Sequence, residues 1–308
     1  MGEMSGNRFF RFFLFMYGLL ILSWSSAFPA VKVGLSFAPP LFFAGFRTLL
    51  GGLFLVLPAC LWGGAVNARR LLPHWLWLSV FLAILFFGLQ TFSVYYLPSG
   101  LTAVLIYLQP ILVGWLAHYW LGERLTWNKT IGLLLGFAGV LVVGWEGVAG
   151  SLSMAGILFG LGAAVGWAVG TIYVKRVQRQ VSLLWLLAGQ FVIGGCVLLG
   201  LSAVFENWSH VSWTGTFWFT LLYTSAVCIS LAWVLYFAVM ERGEASRMAA
   251  NMFLVPLVSV LLGVMFLKET VSLFLLMGGG LIVAGIFLVN RQFSGVTSQQ
   301  PAARQDGV

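Results

Sequence analysis

The chain has 308 residues, of which 61% are hydrophobic and only 8% charged. A water-soluble fold needs about a quarter charged residues to cover its surface. A soluble enzyme, a disordered protein and a secreted disulfide scaffold are therefore excluded, and the bilayer is the solvent that fits. The formal net charge of +8 comes from 16 Lys and Arg scattered in ones, twos and threes between apolar runs. That is not the clustered basic face that nucleic acid requires.

Ten apolar runs are long enough to be read as membrane helices: 12–32, 40–62, 75–95, 98–120, 128–146, 154–174, 182–204, 214–239, 247–267 and 272–290. The expected fold class is an all-α polytopic membrane protein. Residues 1–11 read as a short tail and 291–308, polar or small, as a disordered tail. Arg8 and Arg11 before an apolar run, with Ser25-Ser26-Ala27 behind it, imitate a signal peptide. The stretch is too long for a typical signal-peptide apolar region, so the span is expected to be retained. Trp62, Trp75, Trp77, Trp120, Trp127, Trp145, Trp208 and Trp213 crowd the run ends, the depth that amphipathic rings prefer. Cys60, Cys196 and Cys228 sit inside apolar runs without metal-ligand spacing.

The basic residues set an orientation. With a cytoplasmic N-terminus, 13 Lys and Arg fall on the cytoplasmic side, two (Lys32 and Lys268) on the other, and Arg47 lies within a span. The positive-inside rule then predicts a multi-pass protein of a cell inner membrane or plasma membrane with both termini cytoplasmic.

The two halves repeat. Residues 108–143 align without gaps on 254–289, matching Leu108 with Leu254, Pro110 with Pro256, Leu121 with Leu267, Glu123 with Glu269, Gly132 with Gly278, Ala138 with Ala284 and Gly139 with Gly285. The first span aligns with the sixth through Trp24/Trp167, Val31/Val174 and Lys32/Lys175. Pro, Glu, Trp and Lys are scarce in this chain, so their coincidence carries the weight. Each half, 12–146 and 147–290, holds five spans. An odd number inverts the second half, giving ten helices as two inverted five-helix repeats, the arrangement of many secondary transporters.

The segment Pro110…Gly122-Glu123, followed by Gly132…Gly139, its copy Pro256…Glu269…Gly278…Gly285, and the 5+5 layout resemble an EamA-type member of the drug/metabolite transporter superfamily over about 12–290. The resemblance implies a ten-helix bundle, a central cavity, and movement of small metabolites or amino acids, often outward. It does not identify the solute.

Several residues stand out individually. Arg47 is the basic residue well inside a span, costly there unless it faces the bundle or a cavity. It reads either as a snorkelling side chain or as an anchor for a solute carboxylate or phosphate. Its counterpart in the repeat is Gln190. Trp24, Ser25, Ser26, Gln90, Tyr107, Trp167, Thr171, Trp233, Tyr236 and Asn251 complete a candidate pocket suited to an amphipathic solute. Pro110 and Pro256 free the carbonyls of Ile106 and Met252 and suggest kinked or rocking helices. Glu123 and Glu269 precede Thr126 and Ser272, hydroxyls placed to cap the next helix. These carboxylates read as structural or as conformational locks. Gly132/Gly136, Gly156/Gly160 and Gly162/Gly166/Gly170 read as close-packing faces.

No catalytic constellation, metal cluster or cofactor motif is expected, and the acidic residues and His74, His118 and His210 fall in loops, tails or span ends. The expectation is a secondary carrier, an exporter working by alternating access. Its expected partners are a small-molecule solute, membrane lipid and a second copy of the chain, not nucleic acid. The rivals are a membrane receptor or accessory subunit without transport, and a lipid-linked solute flippase.

Overall fold

The computed structural model describes residues 6–145, 153–241, 243–259 and 273–291. Among these every regular element is helical. Seven helical segments are long and apolar enough to cross a membrane, with shorter apolar helices at Trp127–Val143 and Leu276–Asn290. The chain is a multi-pass membrane protein.

The first span is α1 (Gly6–Ser25) continued by α2 (Ala27–Gly34). Its helix begins inside the stretch expected to be a tail. Next come α3 (Pro40–Trp62) and then a long span built from α4 (Ala68–Leu78), a π-helical stretch over Ser79–Gly88, and α5 (Leu89–Tyr96). This third span starts at Ala68 rather than 75, because the Asn67 side chain accepts the Arg70 backbone N–H at 3.2 Å and caps it. The fourth span is broken: α6 (Ser99–Ile106) stops, Tyr107 and Leu108 turn, and α7 (Gln109–Leu121) resumes. Helix α8 (Trp127–Gly144) closes the first half, capped by Thr126 as its sequence indicated.

The second half runs through α9 (Met154–Val177), α10 (Leu183–Phe205) and α11 (Gly215–Tyr223), which passes into a second π-helical stretch at Thr224–Leu231 and then α12 (Ala232–Glu241). The ninth span starts as α13 (Ala245–Ala250), tightens into a 3₁₀ turn at Asn251–Phe253, and continues helical to 259. Helix α14 (Leu273–Asn290) follows. Glu269, Ser272, the link at 146–152 and the expected tail at 292–308 lie outside the described residues.

Two helix pairs bind one half to the other at backbone contact distance. In the α3–α10 pair, a Cβ on Gly52 would sit 2.7 Å from Val192 N, and one on Gly195 2.5 Å from Leu49 N. In the α8–α14 pair, a Cβ on Gly139 would meet Gly278 O at 2.6 Å, and one on Gly285 would meet Gly132 O at 2.5 Å. Lipid tails are as apolar as the helices, so dispersion contacts at close approach, not water exclusion, hold such pairs. The first span packs on α11, the second π stretch and α12, while α9 packs on the first π stretch, α5, α6 and α7. Each half therefore lays its leading helix against the other half. Trp62, Trp120, Trp127, Trp145 and Trp213 stay exposed near helix ends.

Substituting Gly285→Ala is expected to lower the thermal unfolding temperature of the purified protein, at a cost of about 1–3 kcal/mol from overpacking. Gly280→Ala, with nothing within 4 Å of the added Cβ, is the control and is expected to be neutral. Equal behaviour of the two variants would remove the α8–α14 contact from the stability argument.

Candidate functional site

Arg47 lies on α3 and is 1% exposed. It does not snorkel. Its Nη2 donates to Gln90 Oε1 at 3.0 Å and to Thr91 Oγ1 at 2.9 Å. The guanidinium carbon lies 4.9 Å from the centroid of the Phe87 ring, a cation–π contact. Thr91 Oγ1 in turn donates to Phe87 O at 2.7 Å. The Arg47 Nε–H has no partner among the described residues. One edge of the fork is therefore fixed and another donor is left over.

The spare donor belongs to a residue that lines a narrow cavity of about 20 Å³. The first half supplies Trp24, Phe28, Phe86, Phe87, Gln90 and Tyr107 to the same wall, and the second half supplies Trp167, Cys228 and Trp233. The rings form a continuous cage: Trp24 lies 5.1 Å from Trp167, 5.8 Å from Trp233 and 5.0 Å from Tyr236, centroid to centroid. Trp24 is held in place by its Nε1–H, which donates to Cys228 O at 3.2 Å. Trp167 Nε1–H is buried and unpartnered among the described residues.

Six of the side chains expected in a pocket thus meet: Trp24, Arg47, Gln90, Tyr107, Trp167 and Trp233. Thr171 and Tyr236 stand just behind, linked at 3.3 Å, and Gln109 Nε2 donates to the Tyr236 hydroxyl at 3.1 Å. The others serve elsewhere. Ser25 Oγ donates to Val255 O, Ser26 Oγ pairs with the Tyr223 hydroxyl, and Asn251 bonds Tyr17 and Asn290. Gln190 is fully buried, its side-chain amide has no partner among the described residues, and it is not on the cavity wall.

Sequence reading missed Phe86, Phe87, Thr91, Gln109 and Cys228. Phe86 and Phe87 stand four and three residues before Gln90, the spacing of one helix face, so a signal existed. Cys228 stands five residues before Trp233, and only the wide turn of the π stretch brings that spacing onto one face.

Charged residues tie the two ends. Gly122, in the left-handed region at φ 70°, ends α7 and turns the chain so that Glu123 N–H returns to Ala117 O at 3.1 Å. The Glu123 carboxylate points to the other half and accepts from Ala245 N at 2.5 Å, Ser246 N at 3.1 Å and Ser246 Oγ at 2.7 Å. Beside it Lys175 Nζ donates to the carbonyls of Met240 and Gly243, and Glu244 pairs with Lys129 at 3.0 Å. At the opposite end Lys32 Nζ donates to Val94 O at 2.7 Å and Leu97 O at 3.3 Å, and Glu206 accepts from Leu41 N and Phe42 N at 2.7 and 2.8 Å.

The comparisons agree with this architecture. The model of the EamA-like transporter family matches residues 12–145 and 154–291. An uncharacterized transporter of Bacillus subtilis, YvbV, is 40% identical over 275 residues, covering 89% of this chain and 90% of its own. A protein of Salmonella typhimurium named as a probable amino-acid metabolite efflux pump is 29% identical over 286 residues, covering 89% of this chain and 93% of its own. A solved crystal structure superposes with a TM-score of 0.78 over 90% of this chain and 95% of its own, at 21% identity, a likeness of fold.

The geometry separates two threonines. Thr91→Val removes an acceptor from a buried guanidinium and is expected to destabilise the protein by about 1–3 kcal/mol. Thr48→Val replaces a buried hydroxyl that has no partner among the described residues and is expected to be neutral or stabilising. Thermal unfolding of both variants side by side checks this.

Proposed function

Because the chain belongs to the EamA-like transporter family, we propose that it is a secondary carrier. It exports small metabolites or amino acids by alternating access through the cavity around Arg47. The observation that carries the reading is that cavity itself, walled by aromatic rings from both halves and holding one buried cation with a donor to spare. Arg47 takes the carboxylate or phosphate of the solute, and the Trp24, Trp167 and Trp233 rings take its apolar body. Gln90 and Tyr107 complete the wall, and Thr171 and Tyr236 back it.

In this reading the chain is ten helices in two inverted five-helix repeats, 12–146 and 147–290. Lysine chemistry supports it. Lys32 and Lys175, matched in sequence, each cap the end of a helix at opposite ends of the molecule. Their acceptors fall in register too, Val94 with Met240 and Leu97 with Gly243, in the same alignment that pairs Leu108 with Leu254. The two π stretches and the two helix breaks also recur at matched places. Pro110, Pro256, Glu123 and Glu269 are the conformational elements, and the Glu123 contact with Ala245 and Ser246 holds the halves together on the cytoplasmic side. Both termini are cytoplasmic, in an inner or plasma membrane, with lipid and a second copy of the chain as neighbours.

Topology is tested by single cysteines in a cysteine-free background. Those at Asn207 and Ser151 are expected to label from outside and those at Asn67 and Gln178 are not; the reverse pattern sinks the orientation. The solute is to be found by comparing metabolites in medium and cells with and without the protein, and confirmed by saturable counterflow in proteoliposomes. With that solute, Arg47→Ala is expected to abolish transport while membrane insertion persists, and Arg47→Lys to be partial, since a point charge replaces a planar fork. Undiminished transport by the Ala variant would leave Arg47 no role as anchor.

A further inference from the structure

One charge inside the bundle is unbalanced. Arg47 is buried, and arginine keeps its proton in proteins. Its contacts are Gln90 Oε1, Thr91 Oγ1 and the Phe87 ring, all neutral. No Asp or Glu lines the cavity that Arg47 lines. The described carboxylates are committed elsewhere. Glu123 binds Ala245 and Ser246, Glu206 binds the start of α3, and Glu244 pairs with Lys129 and Arg247. Glu241 lines a separate basin beside Lys175. Among the described residues, therefore, the guanidinium has no counter-charge. Buried charges are ordinarily paired, because neutral dipoles replace only part of what water supplied.

Two buried donors belong to residues of the same wall. Arg47 Nε–H and Trp167 Nε1–H both lack a partner among the described residues. Trp24, the match of Trp167 in the repeat, spends its own N–H on Cys228 O. Trp167 thus keeps a donor that its counterpart does not. The two free donors come from opposite halves, on side chains that share one cavity. Size then selects among anions. The cavity measures about 20 Å³, and a single water needs about 10–15 Å³ on that scale. A monatomic anion fits there, and an amphipathic solute does not until the chamber widens.

We propose that this cavity is a binding site for a small monovalent inorganic anion of the chloride class. The ion sits against the Arg47 guanidinium, accepts from Arg47 Nε–H and Trp167 Nε1–H, and neutralises the buried charge while no solute is bound. The surrounding rings exclude water, which strengthens the attraction. The site needs only the cavity as it stands, so it holds whether or not the chain transports. For a carrier it adds one consequence: the anionic group of an incoming solute displaces the inorganic ion.

The test uses the full-length protein in lipid nanodiscs, in phosphate-free buffer, with sodium gluconate replaced stepwise by sodium chloride at constant ionic strength. Gluconate is too large for the cavity. Binding is read from the unfolding temperature, which a ligand of the folded state raises as its concentration grows. A saturable rise with chloride is expected, and a similar one with bromide. Arg47→Gln is expected to abolish it. Trp167→Phe keeps a ring but removes the N–H, and is expected to raise the half-saturating chloride concentration about tenfold. Trp213→Phe, at an exposed tryptophan, is the control and is expected to leave that concentration unchanged. No difference between chloride and gluconate in the unaltered protein overturns the site. So does a chloride response that survives undiminished in Arg47→Gln or in Trp167→Phe, since the ion would then sit elsewhere. If a variant fails to fold, the salt exchange in the unaltered protein still decides. Solute counterflow in proteoliposomes tests transport separately, and its failure would leave the anion site standing.

Discussion

A guanidinium sealed inside an apolar helix bundle is the constraint that organises this molecule. Placing an arginine at the centre of a membrane helix costs about 2.5–3.5 kcal/mol even on the lenient insertion scales. The protein offsets that cost locally, with two neighbouring side chains, Gln90 and Thr91, on one Nη nitrogen and the Phe87 ring against the guanidinium. All three residues sit where the first π stretch ends and α5 begins. Thr91 serves twice, accepting from Arg47 while donating to the Phe87 carbonyl. The hydroxyl thus joins the charge to the backbone irregularity beside it.

Much of the irregular backbone lies in the same region. In hydrocarbon an unpaired N–H or carbonyl has no water to turn to, so breaks and wide turns survive only inside protein or against a cavity. The third, fourth and eighth spans all carry such features and all contribute to the cavity wall. The uninterrupted helices α3 with α10 and α8 with α14 make the glycine-mediated pairs. These two pairs brace the bundle, and the distorted spans, together with α3 and α9, wall the chamber. In the proposed cycle the braces fix where the halves touch, and the distorted spans absorb the change.

The helical class, most span limits and the aromatic ends were legible because burial in lipid demands about twenty apolar residues per crossing, and little else competes with that signal. The cavity was legible where a residue is out of place in hydrocarbon: Arg47, Gln90, Trp24 and Trp167 are conspicuous against Leu and Val. It was illegible where geometry departs from the α-helix. Cys228 and Trp233 share a face only in the wider π turn, and Phe86 and Phe87 look like ordinary lipid-facing residues until Arg47 is placed against them. Glu123 shows a third kind of difficulty. Its sequence neighbour Thr126 does cap α8, but the carboxylate itself reaches Ala245 and Ser246 in the other half, a partner that no local spacing encodes.

The halves are copies in outline and unlike in chemistry. Where the first half carries Arg47, the alignment puts Gln190, a neutral amide that is buried, without a partner among the described residues, and off the cavity wall. A single cation, carried by the first half alone, gives the chamber a polarity. The break in the fourth span adds to it, because Tyr107, on the cavity wall, belongs to the same half as Arg47. Whichever side the chamber faces in the proposed cycle, the polar groups of a solute stay with the first half. The second half, through Trp167 and Trp233, meets the solute mainly as a wall of rings. A change in the relative position of the halves then slides rings past an apolar body and need not break the polar bonds, which keeps the barrier between the two orientations low.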